Sequence, residues 1–223
     1  MTIKAVIFDM DGTLIDSEAL WILGTQHYCQ QQNIPLKVED LQCTTGWPAI
    51  QTARYLLSKF DNPNNLTDQQ VADGLTKASV DLILARQPLF AGVREVLAML
   101  KAQGVKMAIA SASPIELLTG IVEGSKLGDY FDEVISAEEL PYNKPHPMVY
   151  LEAAARLGVN PKQCVGVEDS IIGMTAVKAA NMRCVVVPEH SVAQDPRWSL
   201  ADIKLAKIAD FDQQIFAALE QIY

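Results

Sequence analysis

Residues Ile3 to Phe8 are apolar and rich in β-branched side chains, interrupted only by Lys4, and they stop abruptly at Asp9-Met10-Asp11-Gly12-Thr13. A run of this kind, with no turn residue inside it, reads as a buried strand. The two aspartates then sit at the carboxyl end of a strand, the edge at which open α/β sheets bind ligands. Asp9 and Asp11 are two positions apart, so in extended chain their side chains leave on one side and can face one ion or ligand. Gly12 lets the backbone turn away beneath them. An Asp-Gly pair alone marks no more than a turn, but an acidic pair closing an apolar strand is more specific.

A long stretch without strand character follows. Leu20, Leu23 and His27 share one helical face, Ile50, Ala53, Leu57 and Phe60 a second, and Val71, Leu75, Ala78 and Leu82 a third. Asn33-Ile34-Pro35 separates the first two helices, and Thr67 with Gln70 forms a capping box for the third. Beyond Gln87-Pro88 the pattern alternates. Val93, Val96, Leu97 and Leu100 form a helical stripe ending at Gly104, and Val105 to Ala110 is a strand. Ser113-Pro114-Ile115-Glu116 reads as a helix start with Ser113 as its cap. Val134-Ile135 is a weak strand, Pro147 to Gly158 a helix, Cys164 to Val167 a strand, Ser170 a cap, and Cys184 to Val187 a further strand. Alternation of this kind implies parallel βα units with right-handed crossovers that cover both sheet faces. The expected fold is α/β: a Rossmann-like parallel sheet over residues 1–14 and 89–223, with helices on both faces, and an inserted all-helical cap over 15–88.

The composition narrows the function classes. A chain of 223 residues, 49% hydrophobic, can bury a substantial core. A net charge of −9 argues against general affinity for nucleic acid or anionic membranes. Cys29, Cys43, Cys164 and Cys184 lack metal-ligand spacing, so reduced thiols are expected. No run reaches the roughly 18 apolar residues of a membrane span and no signal segment is visible, so the reading expects a cytoplasmic protein, with a monomer compatible with every feature above.

Three later segments also end in polar residues at the same sheet edge: Ser111-Ala112-Ser113 after the second strand, the loop holding Lys144, and Glu168-Asp169-Ser170 after the strand from Cys164. The complement of two carboxylates, a hydroxyl, an ammonium and a second acidic pair is a phosphate group with a divalent cation. Hard oxygen ligands such as Asp9, Asp169 and a backbone carbonyl suit magnesium. Lys144 and Ser111 suit the phosphate oxygens that the cation does not reach. Without such cations, a carboxylate would have to attack a dianion.

Asp9-Met10-Asp11-Gly12-Thr13, Ser111, Lys144-Pro145 and Glu168-Asp169-Ser170 resemble, in order, the four motifs of the haloacid dehalogenase-like superfamily, over the whole chain and with a helical cap after the first motif. The resemblance implies a phosphatase acting on a small phosphomonoester. Asp9 would be the nucleophile that forms an aspartyl-phosphate, and Asp11 the general acid and base. Asp9, Met10, Asp11, Ser111, Ala112 and Lys144 would contact the substrate. Mg²⁺ would be held by Asp9, Asp11 and Asp169, with Glu168 either ligating directly or placed behind the ligands. Leu140 to Pro147 and Ser111 to Pro114 are similar to bacterial hexitol and 2-deoxyglucose 6-phosphate phosphatases. The competing readings are a phosphosugar mutase of the β-phosphoglucomutase type and a catalytically silent phosphometabolite-binding regulator. The mutases carry a lysine before and an arginine after the glycine of the cap loop, where this chain has Thr45 and Trp47-Pro48-Ala49-Ile50 around Gly46.

Several residues carry a plainer assignment. Ser113 is read as a helix cap, His27 and Tyr28 as core packing, and His146, between two prolines, as a loop-structural residue. Glu18 fits a favourable acidic helix start or a sugar-hydroxyl contact. Trp47 fits a stacking platform or a core position.

Overall fold

The computed structural model describes residues 2–41, 44, 47–62 and 64–222. The chain forms two compact units, residues 1–16 with 87–223 and residues 17–86. The first is built on six parallel strands, β1 (Ala5–Phe8), β2 (Lys106–Ser111), β3 (Glu133–Ser136), β4 (Cys164–Glu168), β5 (Arg183–Val186) and β6 (Ile203–Lys204), ordered β3-β2-β1-β4-β5-β6. Strand order reverses direction between β1 and β4, the kind of position at whose carboxyl ends open α/β sheets hold ligands. Phe8 pairs with Ile109 on one side and Val167 on the other, so Asp9 emerges level with Ala110 and Glu168.

Both faces of the sheet are covered, which is why its strands are apolar without alternation. On one face Ala5, Ile7, Ala108, Ala110, Cys164 and Val186 pack with residues of two helices: Val149, Tyr150 and Ala153 from the first, and Met174 and Val177 from the second. Those helices run over Met148–Leu157 and Ile171–Ala179. On the other face Val6, Phe8, Met107, Ile109, Val165 and Val167 are equally buried. Two elements escape the sequence reading. The strand β6 has only two residues, and the terminal helix Gln213–Gln221 follows a run of short turns. Its start is set by Asp212, whose side chain accepts from the backbone N–H groups of Gln214 and Ile215.

The second unit is a three-helix arrangement, α1 (Glu18–Gln31), α2 (Ala49–Lys59) and α3 (Asp68–Arg86), around Cys29, Ile34, Leu41, Ala53, Leu56, Val71 and Leu75. The capping box forms as read: Gln70 N–H donates to Thr67 Oγ1 at 3.2 Å, and Thr67 N–H donates to Gln70 Oε1 at 2.9 Å. The face assigned to α1 is wrong. Leu23 and His27 are exposed, and the helix instead buries Gly24 and Cys29. The reason is backbone proximity, which hydropathy does not record. A Cβ on Gly24 would lie 2.5 Å from Ser79 Cα, and one on Gly74 would lie 2.0 Å from the Tyr28 ring. The two helices therefore approach through glycines, not through a leucine stripe. Tyr28 packs as expected and His27 does not. Gly24→Ala should destabilise the protein by about 1–3 kcal/mol, because the added methyl meets backbone that cannot yield. Urea unfolding would measure it, and an unchanged midpoint would refute the close approach.

Among the described residues, no helix is long and apolar enough to cross a membrane. The described cysteines Cys29, Cys164 and Cys184 are free and buried, while Cys43 lies outside the described residues.

Candidate active site

Asp9 follows β1 directly and is 6% exposed, its N–H bonded to the Val167 carbonyl at 2.9 Å. The chain then turns tightly, with Leu14 N–H donating to Met10 O at 2.8 Å and Gly12 N–H to Ile15 O at 2.9 Å. Gly12 has φ +74°, and a Cβ there would stand 2.0 Å from Asp169 Oδ2. Only glycine satisfies both the left-handed backbone and that approach. The turn and the β4 carboxylates are thus packed against each other.

Lys144 reaches this point from the loop between β3 and the helix Met148–Leu157. Its ammonium donates to Asp9 Oδ1 at 2.6 Å, Glu168 Oε1 at 2.7 Å and the Ala110 carbonyl at 3.0 Å. With 7% of its side chain exposed, it is not a solvated loop lysine. The loop is shaped by its own residues. Asn143 Oδ1 accepts from Lys144 N–H, His146 Nδ1 accepts from Met148 N–H, and the Tyr142 and His146 rings stack at 4.7 Å. His146 therefore has the loop-structural role assigned to it.

Asp9, Glu168 and Asp169 each bring a carboxylate oxygen to within 4.8 Å of the others. Burial drives the Asp9 carboxyl up to about 7, with Lys144 pulling it down less strongly than burial and the neighbouring carboxylates raise it. Asp169 is pushed well above the usual carboxylate range by burial, then by Asp9 and Glu168. Burial opposes the charge on Lys144, yet Asp9 and Glu168 together hold its ammonium above the ordinary lysine value. One ammonium among three carboxylates, Asp9 and Glu168 buried and Asp169 half-buried, leaves the cluster over-acidic. A hard divalent cation would relieve that excess, and the all-oxygen donor set fits one.

Ser111, the last residue of β2, is buried, and its hydroxyl accepts from Ser113 N–H at 3.2 Å. Met10 is buried, whereas Ala112 is exposed at the strand end. The cap assigned to Ser113 is not made. The following helix, Ile115–Gly124, starts after Pro114 without a side-chain cap. Instead the Ser113 hydroxyl donates to Asp11 Oδ2 at 2.5 Å, and Ser136 Oγ donates to the Ser113 carbonyl at 2.7 Å. The capping pattern concealed a simpler signal: Ser111 and Ser113, two apart at a strand end, can face the same place. Ser170 caps its helix as read, accepting from Gly173 N–H.

Tyr150 was also missed. It is fully buried, and its hydroxyl donates to Glu168 Oε1 at 2.6 Å. A tyrosine on an apolar helical face reads as core, and only the rule that a buried phenol needs a partner hints at more. Glu18 begins α1 in the helical unit and supplies its acidic first turn. Trp47 is 43% exposed and edge-on to Tyr55, which rules out the core assignment. Thr45 and Gly46, on which the mutase comparison rests, lie outside the described residues.

A family profile described as haloacid dehalogenase-like hydrolase matches residues 6–187. Hexitol phosphatase B of Escherichia coli K12 is 41% identical over 211 residues, covering 93% of this chain and 94% of that protein. Among solved structures, CbbY from Rhodobacter sphaeroides in complex with phosphate superposes with TM-score 0.81 at 25% identity, over 94% of this chain and 96% of that one. β-Phosphoglucomutase from Clostridium difficile gives TM-score 0.80 at 22% identity, over 99% and 98%, a likeness of fold.

Proposed function

Given that this chain belongs to the haloacid dehalogenase-like hydrolases, and within them to the phosphoric monoester hydrolases, we propose that it is a magnesium-dependent phosphatase of hexose and hexitol phosphates that works through an aspartyl-phosphate. The observation that carries the reading is the Lys144 ammonium, 2.6 Å from Asp9 and 2.7 Å from Glu168, at the carboxyl edge where the sheet order reverses. The substrate class rests on the similarity to a hexitol phosphatase.

In this mechanism a carboxylate oxygen of Asp9 bonds to phosphorus while the bond from phosphorus to the sugar oxygen breaks, and the Asp11 carboxyl gives that oxygen its proton. The same carboxylate then takes a proton from water, whose oxygen attacks phosphorus and releases inorganic phosphate with Asp9 restored. The Ser113 hydroxyl on Asp11 Oδ2 holds the acid and base in one orientation. Ser111 and Lys144 bind the phosphoryl oxygens, where positioned charge is most effective. Asp9, Asp169 and the Asp11 carbonyl would hold magnesium, which neutralises phosphoryl charge when bound. The helical unit, with exposed Trp47, is assigned to selection of the leaving group. The free, buried thiols of Cys29, Cys164 and Cys184, among the described residues, are compatible with a reducing compartment such as the cytoplasm.

A panel of phosphorylated metabolites assayed for phosphate release, with magnesium and with chelator, tests the reading. Hexitol and hexose 6-phosphates should lead the panel, and release should cease with chelator. Turnover that persists without divalent cation would refute the metal dependence, and no release from any monoester would refute the enzyme.

A further inference from the structure

The carboxylate that anchors Lys144 is itself held on every side. Glu168 is fully buried. A carboxylate offers about four acceptor positions, and here they are filled. Oε1 accepts from Lys144 Nζ at 2.7 Å and the Tyr150 hydroxyl at 2.6 Å, while Oε2 accepts from Ser170 Oγ at 3.0 Å and Ser170 N–H at 3.4 Å. Behind it, a Cβ on Gly173 would fall 1.9 Å from Glu168 Cδ, so the carboxylate occupies space that a side chain would deny it. The Tyr150 ring also lies beneath the ammonium, with Lys144 Nζ 5.1 Å from its centroid.

Resting on the phosphatase reading above, we propose that Tyr150 is a positioning residue. By filling the second acceptor site of Glu168 Oε1, it keeps that carboxylate as the anchor of Lys144 and out of the cation's coordination, leaving Asp9 and Asp169 as the carboxylate ligands. A Glu168 released from Tyr150 would be drawn to the strongest charge in the site. The ammonium would lose one of its two carboxylate partners, and the cation would gain an oxygen. Calcium takes six to eight oxygen ligands, whereas magnesium keeps a tight octahedron with several waters. The Tyr150 hydroxyl thus sets both the place of the ammonium and the preference for the smaller ion.

Tyr150→Phe removes the oxygen and keeps the ring. Its kcat for p-nitrophenyl phosphate should fall about tenfold with KM within about twofold of wild type. Calcium affinity relative to magnesium, read without substrate by thermal-shift titration of each ion, should rise at least ~fivefold. Gly173→Ala pushes the same carboxylate from the opposite side and should move the ion ratio likewise, so it decides the matter if Tyr150→Phe does not fold. A folded variant with wild-type kcat and ion ratio would overturn the assignment. So would lower thermal stability with an unchanged ratio, which is what packing alone produces. A wild-type protein that releases no phosphate counts against the phosphatase reading instead, and the ion ratio still tests Tyr150.

Discussion

Asp9→Asn is expected to lower phosphate release by roughly three orders of magnitude or more, since an amide oxygen cannot serve as the attacking group. The fold should survive. Asn is isosteric, Lys144 keeps Glu168 as a partner at 2.7 Å, and one buried carboxylate fewer reduces the excess negative charge. The melting temperature should therefore stay within about 5 °C of wild type, or rise. Acid-quenched wild-type protein, mixed with radiolabelled substrate, should carry base-labile label that the variant lacks. Turnover near the wild-type rate in a folded variant would end the nucleophile assignment.

Lys144→Met should produce the second large effect, on stability as well as rate. The substitution leaves Asp9 and Glu168 buried, with Asp169 beside them, without the ammonium that pairs them, and removing one partner from a buried ion pair costs about 3–5 kcal/mol. Loss of a charge aimed at the phosphoryl group should lower kcat by a further ~10²–10³. The pH dependence has a definite sign. Asp9 lies near 7 in the folded chain against an ordinary 3.8, and Asp169 is raised as well. A carboxyl raised on folding favours the folded state fully only below its unfolded value, and that contribution is lost as the pH climbs to the folded one. The metal-free protein should weaken between about pH 4 and about pH 7, and Lys144→Met should weaken more steeply. Magnesium should restore more stability at pH 8 than at pH 5. Chemical denaturation across that range measures both. Equal stability of variant and wild type at pH 8 would show that the ammonium does not balance the cluster.

The sheet was legible in the sequence because its causes are local. Apolar β-branched runs bounded by Gly, Pro and Asp specify strands, the intervening helical stripes specify crossovers, and right-handed connection leaves few ways to order them. Asp9, Lys144, Glu168 and Asp169 each stand at or beside a strand's carboxyl end, so parallel order alone brings them to one edge. Shorter elements gave no such signal, as the two residues of β6 show.

Local patterning thus specifies the edge and the chemistry gathered on it. How each group is held there follows from the packing of elements remote in the chain. Ser113 meets Asp11 across 102 residues of chain, and Tyr150 meets Glu168 between a helix and a strand. Gly24 makes room for Ser79 where periodicity predicts that a leucine stripe packs. A hydrogen-bond partner and a close backbone approach depend on the relative placement of two elements to within about an ångström. Periodicity records which face of an element is apolar; it carries no measure of that distance.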